Sequence, residues 1–317
     1  MRLVLTSKYI TASSNIGGMF FRPACIIDNC RWYGEIESTG NTIGGLVEIN
    51  DINCIITNSH AVGSIQGDRN VGIFAAGNNG IIRDCKSNGS AIGITGTSIG
   101  GFIGTTGGIE ISGCIAENVS VQGGAGTGAQ GVGGFTGLIS GASTIVTKNK
   151  ATGTVYSEWH TGGFAGIITG GFITKCEADC DVSGIGARVS GFVALHQTGG
   201  TISDCHAKGT VTGNVSFDLT GFTLTTRTND NCYCAVAVSG TASNINPFGR
   251  GVSGGSASNC YYDENVSGIA NSGLGIPQTT AQMQANISQG IDPNVCYYLW
   301  DNDIWDFTPT TEYPKLR

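Results

Sequence analysis

The sequence predicts an all-β fold: a single right-handed parallel β-helix (solenoid) of about nine coils, closed by a C-terminal cap with a short helix. Glycine makes up 52 of the 317 residues, which excludes a large helical bundle because each helical glycine costs about 1 kcal/mol. Two anchors recur with one period near 28 residues. Side chains alternate between apolar and polar after the second anchor, as in a strand with one buried face. Together these observations predict coils that stack on one another.

The first anchor is a glycine pair followed by a large apolar residue, as in Gly162-Gly163-Phe164. The apolar position recurs nine times, at Met19, Leu46, Phe74, Phe102, Phe135, Phe164, Phe192, Phe222 and Phe248. We expect these side chains to fill the wider part of the interior.

The second anchor is a small residue that is usually cysteine. Its nine positions are Cys30, Ser59, Cys85, Cys114, Asn149, Cys176, Cys205, Cys232 and Cys260. Small or apolar residues alternate with polar ones after each anchor, as at Ala207, Gly209 and Val211. This alternation predicts that the anchors face the interior, where they would stack as a ladder. An isoleucine or valine lies three residues before most anchors, and on a flat strand it would point to the opposite face from the anchor. Because both residues are apolar and expected in the interior, we predict a corner between them. Asn or Asp just before six anchors is typical of a turn. Each coil should then contain about three short strands.

The two ends differ in sequence. We assign residues 1–268 to the solenoid and residues 269–317 to a capping segment. The cap should contain a short helix that begins after Thr279, followed by aromatic residues that cover the last coil. Residues 2–7 look like a strand that pairs with the first coil or with another chain. An open end would favour end-to-end self-association.

Twelve cysteines are present, and none of their spacings resembles a zinc or haem site. Most fall on the inward ladder, where a thiol packs as a small apolar group. The best candidate disulfide lies off the ladder. Cys25 and Cys54 each precede an anchor by five residues, so they should stack in adjacent coils.

Candidate functional residues are few. Glu177, Asp179 and Asp181 lie on one outward strand face, where carboxylates could serve sugar cleavage. Lysine and histidine at neighbouring positions favour ordinary ion pairs instead. Trp159 and His160, in a corner, are a second candidate surface-binding site. A glycine-rich insertion at 123–134 is expected to form a corner loop. We therefore expect no enzyme activity, no cofactor and no metal.

Several segments resemble the GLUG repeat of bacterial surface and adhesin-like proteins. The matching segments are residues 162–168, 173–178 and 209–213, with a tail-like match at 259–263, 279–283, 305–307 and 313–316. The resemblance covers nearly the whole chain. It implies a β-helix in secreted or surface-anchored bacterial proteins and brings no catalytic residues with it.

The net charge of −7 argues against nucleic acid as a partner, and no apolar run is long enough for membrane insertion. We expect a non-enzymatic extracellular or cell-surface protein, although no export signal is visible in this chain. It would act as a rigid stalk or adhesive module that binds a host glycan or surface protein, or itself. The alternatives are a viral tail-spike or fibre component, a self-assembling filament subunit and, less favoured, a polysaccharide-cleaving enzyme.

Overall fold

The protein is a parallel β-solenoid in its computed structural model, which describes residues 3–124, 131–197, 199–269, 273–285, 296–297, 299–308 and 311–317. Half of the insertion at 123–134, namely residues 125–130, and part of the capping segment therefore lie outside the described residues. The described chain winds through nine coils, each of which contributes one strand to sheet A, then to sheets B, C and D. Sheet C lacks a strand from the first coil, where only an isolated bridge joins Phe20 to Val47. All four sheets are parallel, which confirms the predicted stacking.

Sheet A contains the long strands. They are Leu3–Ala12, Cys30–Ser38, His60–Gly67, Lys86–Gly93, Ile115–Gln122, Lys150–Ser157, Glu177–Gly184, His206–Asn214 and Tyr233–Thr241, followed by Tyr261–Asp263 and Ile276–Gln278. The first of these pairs with the second, which is one of the two arrangements that the N-terminal sequence left open.

The other three sheets consist of two- to four-residue strands. Sheet B contains Ile16–Gly17, Thr42–Gly44, Asn70–Gly72, Ser98–Gly100, Gly131–Gly133, His160–Gly162, Arg188–Ser190, Asp218–Thr220 and Asn244–Asn246. Sheet C contains Val47–Asn50, Ala75–Asn78, Ile103–Thr106, Thr136–Ile139, Ala165–Ile168, Val193–His196, Thr223–Thr225 and Gly249–Gly251. Sheet D contains Ile26–Asp28, Ile55–Thr57, Ile81–Arg83, Glu110–Ser112, Ile145–Thr147, Phe172–Thr174, Thr201–Ser203, Thr228–Asp230 and Ser256–Ser258.

Each complete coil has four strands, whereas about three were expected. The difference arises at the glycine pair, where the sequence pattern predicted one element and the structure has two strands. In the sixth coil, for example, Gly162 ends a strand of sheet B and Ala165 begins a strand of sheet C. A Cβ atom on Gly163 would meet the backbone oxygen of Gly191 in the next coil. The pair therefore allows a sharp bend between two sheets.

The interior contains a continuous phenylalanine stack. Seven rings, from Phe74 to Phe248, lie parallel with centroids 4.6–5.0 Å apart in successive coils. All seven are fully buried. The stack explains why one large apolar residue recurs after each glycine pair.

The corner between sheets D and A has left-handed backbone. Asn29, Asn58, Asp84, Asp204, Asn231 and Asn259 have φ angles of 48–53°. Asn and Asp tolerate this conformation better than other non-glycine residues, so the predicted corner is confirmed. It lets both the isoleucine before the corner and the anchor after it point inward.

The C-terminal end of the core is covered. Leu274 bridges to Gly249 at the edge of sheet C, and the strand Ile276–Gln278 pairs with Tyr261–Asp263 at the edge of sheet A. Helix α1 (Glu264–Ser267) and helix α2 (Thr280–Gln284) flank this strand. Thr279 caps α2 as predicted, through a capping box with Gln282. Neither helix in the described part of the chain approaches the length of an apolar membrane span.

The aromatic part of the capping segment lies on the side of the solenoid. Tyr297, Trp300, Trp305 and Phe307 pack against the outward side chains Tyr233 and Tyr261 of sheet A. The short antiparallel pair Trp305–Asp306 and Lys315–Leu316 belongs to this layer. We call the described residues from 296 onward the C-terminal flap. It covers the outer face of the last two coils, while residue 269 and residues 273–278 cover the end of the core.

Candidate functional site: a groove along sheet A

Two open pockets of about 660 and 530 Å³ lie along the outer face of sheet A over the first seven coils. Both reach the strand Ile115–Gln122, and we call them together the groove. One half is lined from Ile115 to Asp181 and the other from Thr6 to Ser120. The groove runs along the solenoid axis, because each coil contributes equivalent outward residues.

A column of hydroxyl side chains runs down the groove. Ser64, Ser90, Ser120 and Thr154 are partners in successive coils. Glu35 precedes the column and Asp181 follows it. Ser64 and Ser90 share a hydrogen bond of 2.7 Å between their hydroxyl oxygens. We call these four residues the hydroxyl column. The sequence predicted that these positions face outward, because polar residues alternate with the inward ones. Residue types alone did not show that the outer face of the sheet is concave.

Glycines at the middle of the strands produce the concavity. Gly209 was expected to point inward as a small core residue, yet Gly209 and its equivalents Gly63, Gly89 and Gly153 are half-exposed, and the last three line the groove. Their φ angles lie between 103 and 157°, a region that side chains rarely adopt. A Cβ atom on any of them would meet the backbone of the preceding coil. Glycine therefore bends these four strands, and the stacking of the coils aligns the bends along the groove.

The predicted acidic residues lie at the C-terminal end of this groove. Asp179 and Asp181 line it, and Asp181 accepts a 2.7 Å hydrogen bond from the Thr210 hydroxyl. Glu177 forms the expected ion pair with Lys150, at 2.9 Å between Nζ and Oε2. Together with Glu35 and Glu117, these aspartates make four carboxylates along the groove, against one lysine.

The second predicted binding pair lies elsewhere. Trp159 and His160 sit where sheet A leads into sheet B, and His160 is only 5% exposed. Burial, with a smaller effect of Arg188, lowers the pKa of the His160 imidazole to about 4. His160 is therefore not available at the surface, because its ring is enclosed by the adjoining strands.

The flap ends the groove beyond the seventh coil. His206 stacks on Tyr233 with ring centroids 4.7 Å apart, and the Lys208 ammonium lies 5.4 Å from the Tyr313 ring. Tyr233 donates to the carbonyl of Pro314 at 2.9 Å. Burial is the main cause that lowers the pKa of His206 well below its usual range. These contacts hold the flap firmly on sheet A.

All seven predicted ladder cysteines point into the core and are at most 6% exposed. Their thiols also complete backbone hydrogen bonding at the corner between sheets D and A. Each donates to the carbonyl two residues earlier, at 3.1–3.6 Å. Some also accept from a backbone N–H of the preceding coil, as Cys205 does from Cys176 at 3.4 Å.

Ser59 and Asn149 occupy the same ladder and bond in the same way. Ser59 accepts from the Cys30 N–H at 3.1 Å, and Asn149 accepts from the Cys114 N–H at 2.9 Å. Cysteine, serine and asparagine can each donate and accept. The sequence predicted only a packing role for the ladder residues, but their side chains also form hydrogen bonds with the backbone.

Cys25 and Cys54 lie at equivalent positions in the first and second coils, as expected. The Ile55 N–H donates to the Cys25 carbonyl at 3.2 Å. Cys25 is exposed and Cys54 is buried, and both are free thiols in this structure.

Among the residues that the structure describes, no three His, Cys, Asp or Glu side chains converge as metal ligands would. No protein-family model matches the chain, and neither the curated proteins nor the solved structures give a significant match. The groove is thus characterised by its own geometry and chemistry.

Proposed function

We propose that this protein is a non-enzymatic, extracellular adhesive solenoid that binds a glycan chain in the groove of sheet A. The observation that carries the proposal is the groove itself, which presents a hydroxyl group at one position in four successive coils, between Glu35 and Asp181. A polymer with a regular repeat can make equivalent contacts at each step along it.

The chemistry of the groove suits a carbohydrate. Hydroxyl and carboxylate groups are hydrogen-bond partners for sugar hydroxyls. Coils repeat every 4.8 Å or so, close to the length of one pyranose unit in an extended chain. The four carboxylates disfavour nucleic acid, because phosphates would be repelled. An extended peptide would pair with a sheet edge rather than lie across a sheet face.

The remaining parts of the proposal concern the setting. A rigid, flat-sided rod suits presentation of a binding face, and the resemblance to the GLUG repeat favours a bacterial cell surface. Two observations disfavour a filament built end to end. Leu274 and its neighbours cover one end of the core, and the flap occupies the adjoining side face.

The test is a binding screen against a panel of neutral, amino and acidic polysaccharides, using the full chain and two groove variants. Thr154→Arg and Ser120→Arg place a bulky cation on exposed groove positions. Thr201→Arg, on the exposed outer face of sheet D, is the matched control. We expect at least one polysaccharide to bind, at least a tenfold loss of affinity in both groove variants, and no loss in the control.

The same samples are analysed for shortened chains and for unsaturated or reducing ends. Products that disappear with Asp179→Ala would replace the adhesive role by polysaccharide cleavage. Binding that is equal in the groove and control variants, or no binding across the panel, would refute the groove as the site.

A further inference from the structure

We propose that Cys25 and Cys54 form a reversible disulfide that clamps the first coil to the second. The proposal is independent of the glycan site. It rests on a pair of thiols that the fold places at the same corner of adjacent coils.

The register brings the two residues together. Ile26 is the partner of Ile55 in sheet D, so the residues just before them stack at the coil spacing. That spacing, about 4.8 Å between Cα atoms, lies within the range that a disulfide spans. The Ile55 N–H bond to the Cys25 carbonyl holds the two backbones at this separation. Cys25 lies just before the strand Ile26–Asp28, and its side chain is exposed.

The two thiols differ in access. Cys25 is the one exposed cysteine of the twelve, whereas Cys54 is completely buried. Burial raises the pKa of the Cys54 thiol, and the adjoining Cys25 thiol adds to this rise. A reagent in solution therefore reaches Cys25 first, and Cys54 is placed to resolve the product.

The reaction needs an oxidant, and a small disulfide such as oxidised glutathione suffices. The Cys25 thiolate attacks one sulfur of glutathione disulfide, forms a mixed disulfide and releases one glutathione thiolate. Cys54 then loses its proton and attacks the Cys25 sulfur, which forms the Cys25–Cys54 bond and releases the second glutathione thiolate. Two protein thiols are oxidised, one small disulfide is reduced, and the two protons pass to the two glutathione molecules.

The position of the bond gives it a role. In the described part of the chain, the first coil pairs with a neighbour on one side only. Terminal coils of a solenoid open at lower free energy than internal ones, because stability comes from nearest-neighbour contacts. Cys54 belongs to a coil with a paired neighbour on each side, and its own carbonyl accepts from the Ile81 N–H of the third coil. A bond to Cys54 would tie the least supported coil to a fixed one.

Mass spectrometry and hydrogen exchange test the proposal on the full chain. The protein is incubated with oxidised glutathione or with reduced glutathione and then digested with trypsin. Cleavage after Lys8, Arg31 and Arg69 separates Cys25 from Cys54 but leaves Cys30 on the peptide with Cys25. The matched control is therefore Cys30→Ser, which places serine at a ladder position where Ser59 already fits in the next coil.

We expect peptides 9–31 and 32–69 to be joined in the oxidised wild type and in Cys30→Ser, but not in Cys25→Ser. We also expect amide exchange in residues 16–28 to slow at least fivefold on oxidation, with no change in the central coils. If Cys25 ends only as a mixed disulfide with glutathione, the bond does not form and the proposal fails. If the bond forms but exchange in residues 16–28 is unchanged, the clamp is refuted.

Discussion

Replacing Cys205 tests whether the ladder residues act through packing alone or through hydrogen bonding as well. The Cys205 thiol donates to the Ser203 carbonyl at 3.1 Å and accepts from the Cys176 N–H at 3.4 Å. It is fully buried, and burial holds its pKa well above the ordinary value, so it remains a thiol. Alanine keeps the small apolar shape, whereas serine keeps both hydrogen bonds.

Hydrogen bonding and packing alone predict opposite orders of stability for the two variants. Cys205→Ala leaves a buried N–H and a buried carbonyl short of a partner, at about 1 kcal/mol or more each. Loss of the sulfur contacts adds roughly 1 kcal/mol, which gives a destabilisation of about 3 kcal/mol in total. Cys205→Ser preserves the partners, as Ser59 does, and should cost about 1 kcal/mol for its smaller size. If the thiol were only a small apolar group, serine would be the worse replacement, because it buries a hydroxyl.

Unfolding in guanidinium chloride and hydrogen exchange of the Cys176 amide provide the measurement. We expect the guanidinium midpoint of Cys205→Ser to be well above that of Cys205→Ala. Of the two variants, only Cys205→Ser should keep the Cys176 amide protected from hydrogen exchange. Asn149→Ser serves as a second comparison, since it exchanges one donor–acceptor for another at the same ladder position. An alanine variant as stable as the serine variant would refute hydrogen bonding as the reason for this residue choice.

Three further predictions concern pH, the aromatic stack and the groove. His160 is neutral in the folded protein, and its pKa is lowered from 6.5 to about 4. The free energy of unfolding is therefore unaffected by this group above about pH 6.5 and falls by about 3 kcal/mol as the pH drops to about 4. An unfolding midpoint that is flat with pH, or a slope unchanged in His160→Asn, would contradict this. Phe164→Ala should cost about 3–5 kcal/mol in chemical denaturation, while Phe164→Leu should cost less because Leu46 fills the same position; equal losses would disprove the stack. Gly153→Ala should destabilise far more than Gly254→Ala, because both have positive φ angles but only the first lies against backbone; similar melting temperatures would overturn this reasoning.

Several features of the fold were predictable because they repeat locally. The period near 28 residues, the inward ladder and the corner at Asn29 and its equivalents follow from alternation and turn chemistry. These properties depend on residues within one coil, so one copy of the repeat carries the information. The helix after Thr279 was predictable for the same reason, through its cap.

Other features depended on contacts between coils. The fourth strand appears because each glycine pair lies against a backbone oxygen of the next coil. The second function of the ladder depends on an N–H that belongs to another coil, which the spacing of cysteines does not reveal. His160 was predicted to lie at the surface because Trp159 and His160 fall in a corner, yet neighbouring strands enclose it.

The amino-acid sequence by itself determined that this chain winds into stacked coils and which residues face the interior. Only the tertiary structure decided that sheet A is concave and that the flap lies on its side. The physical reason is that curvature and coverage arise from many coils together. A glycine such as Gly89 bends one strand, but the groove exists because the bends of successive coils align.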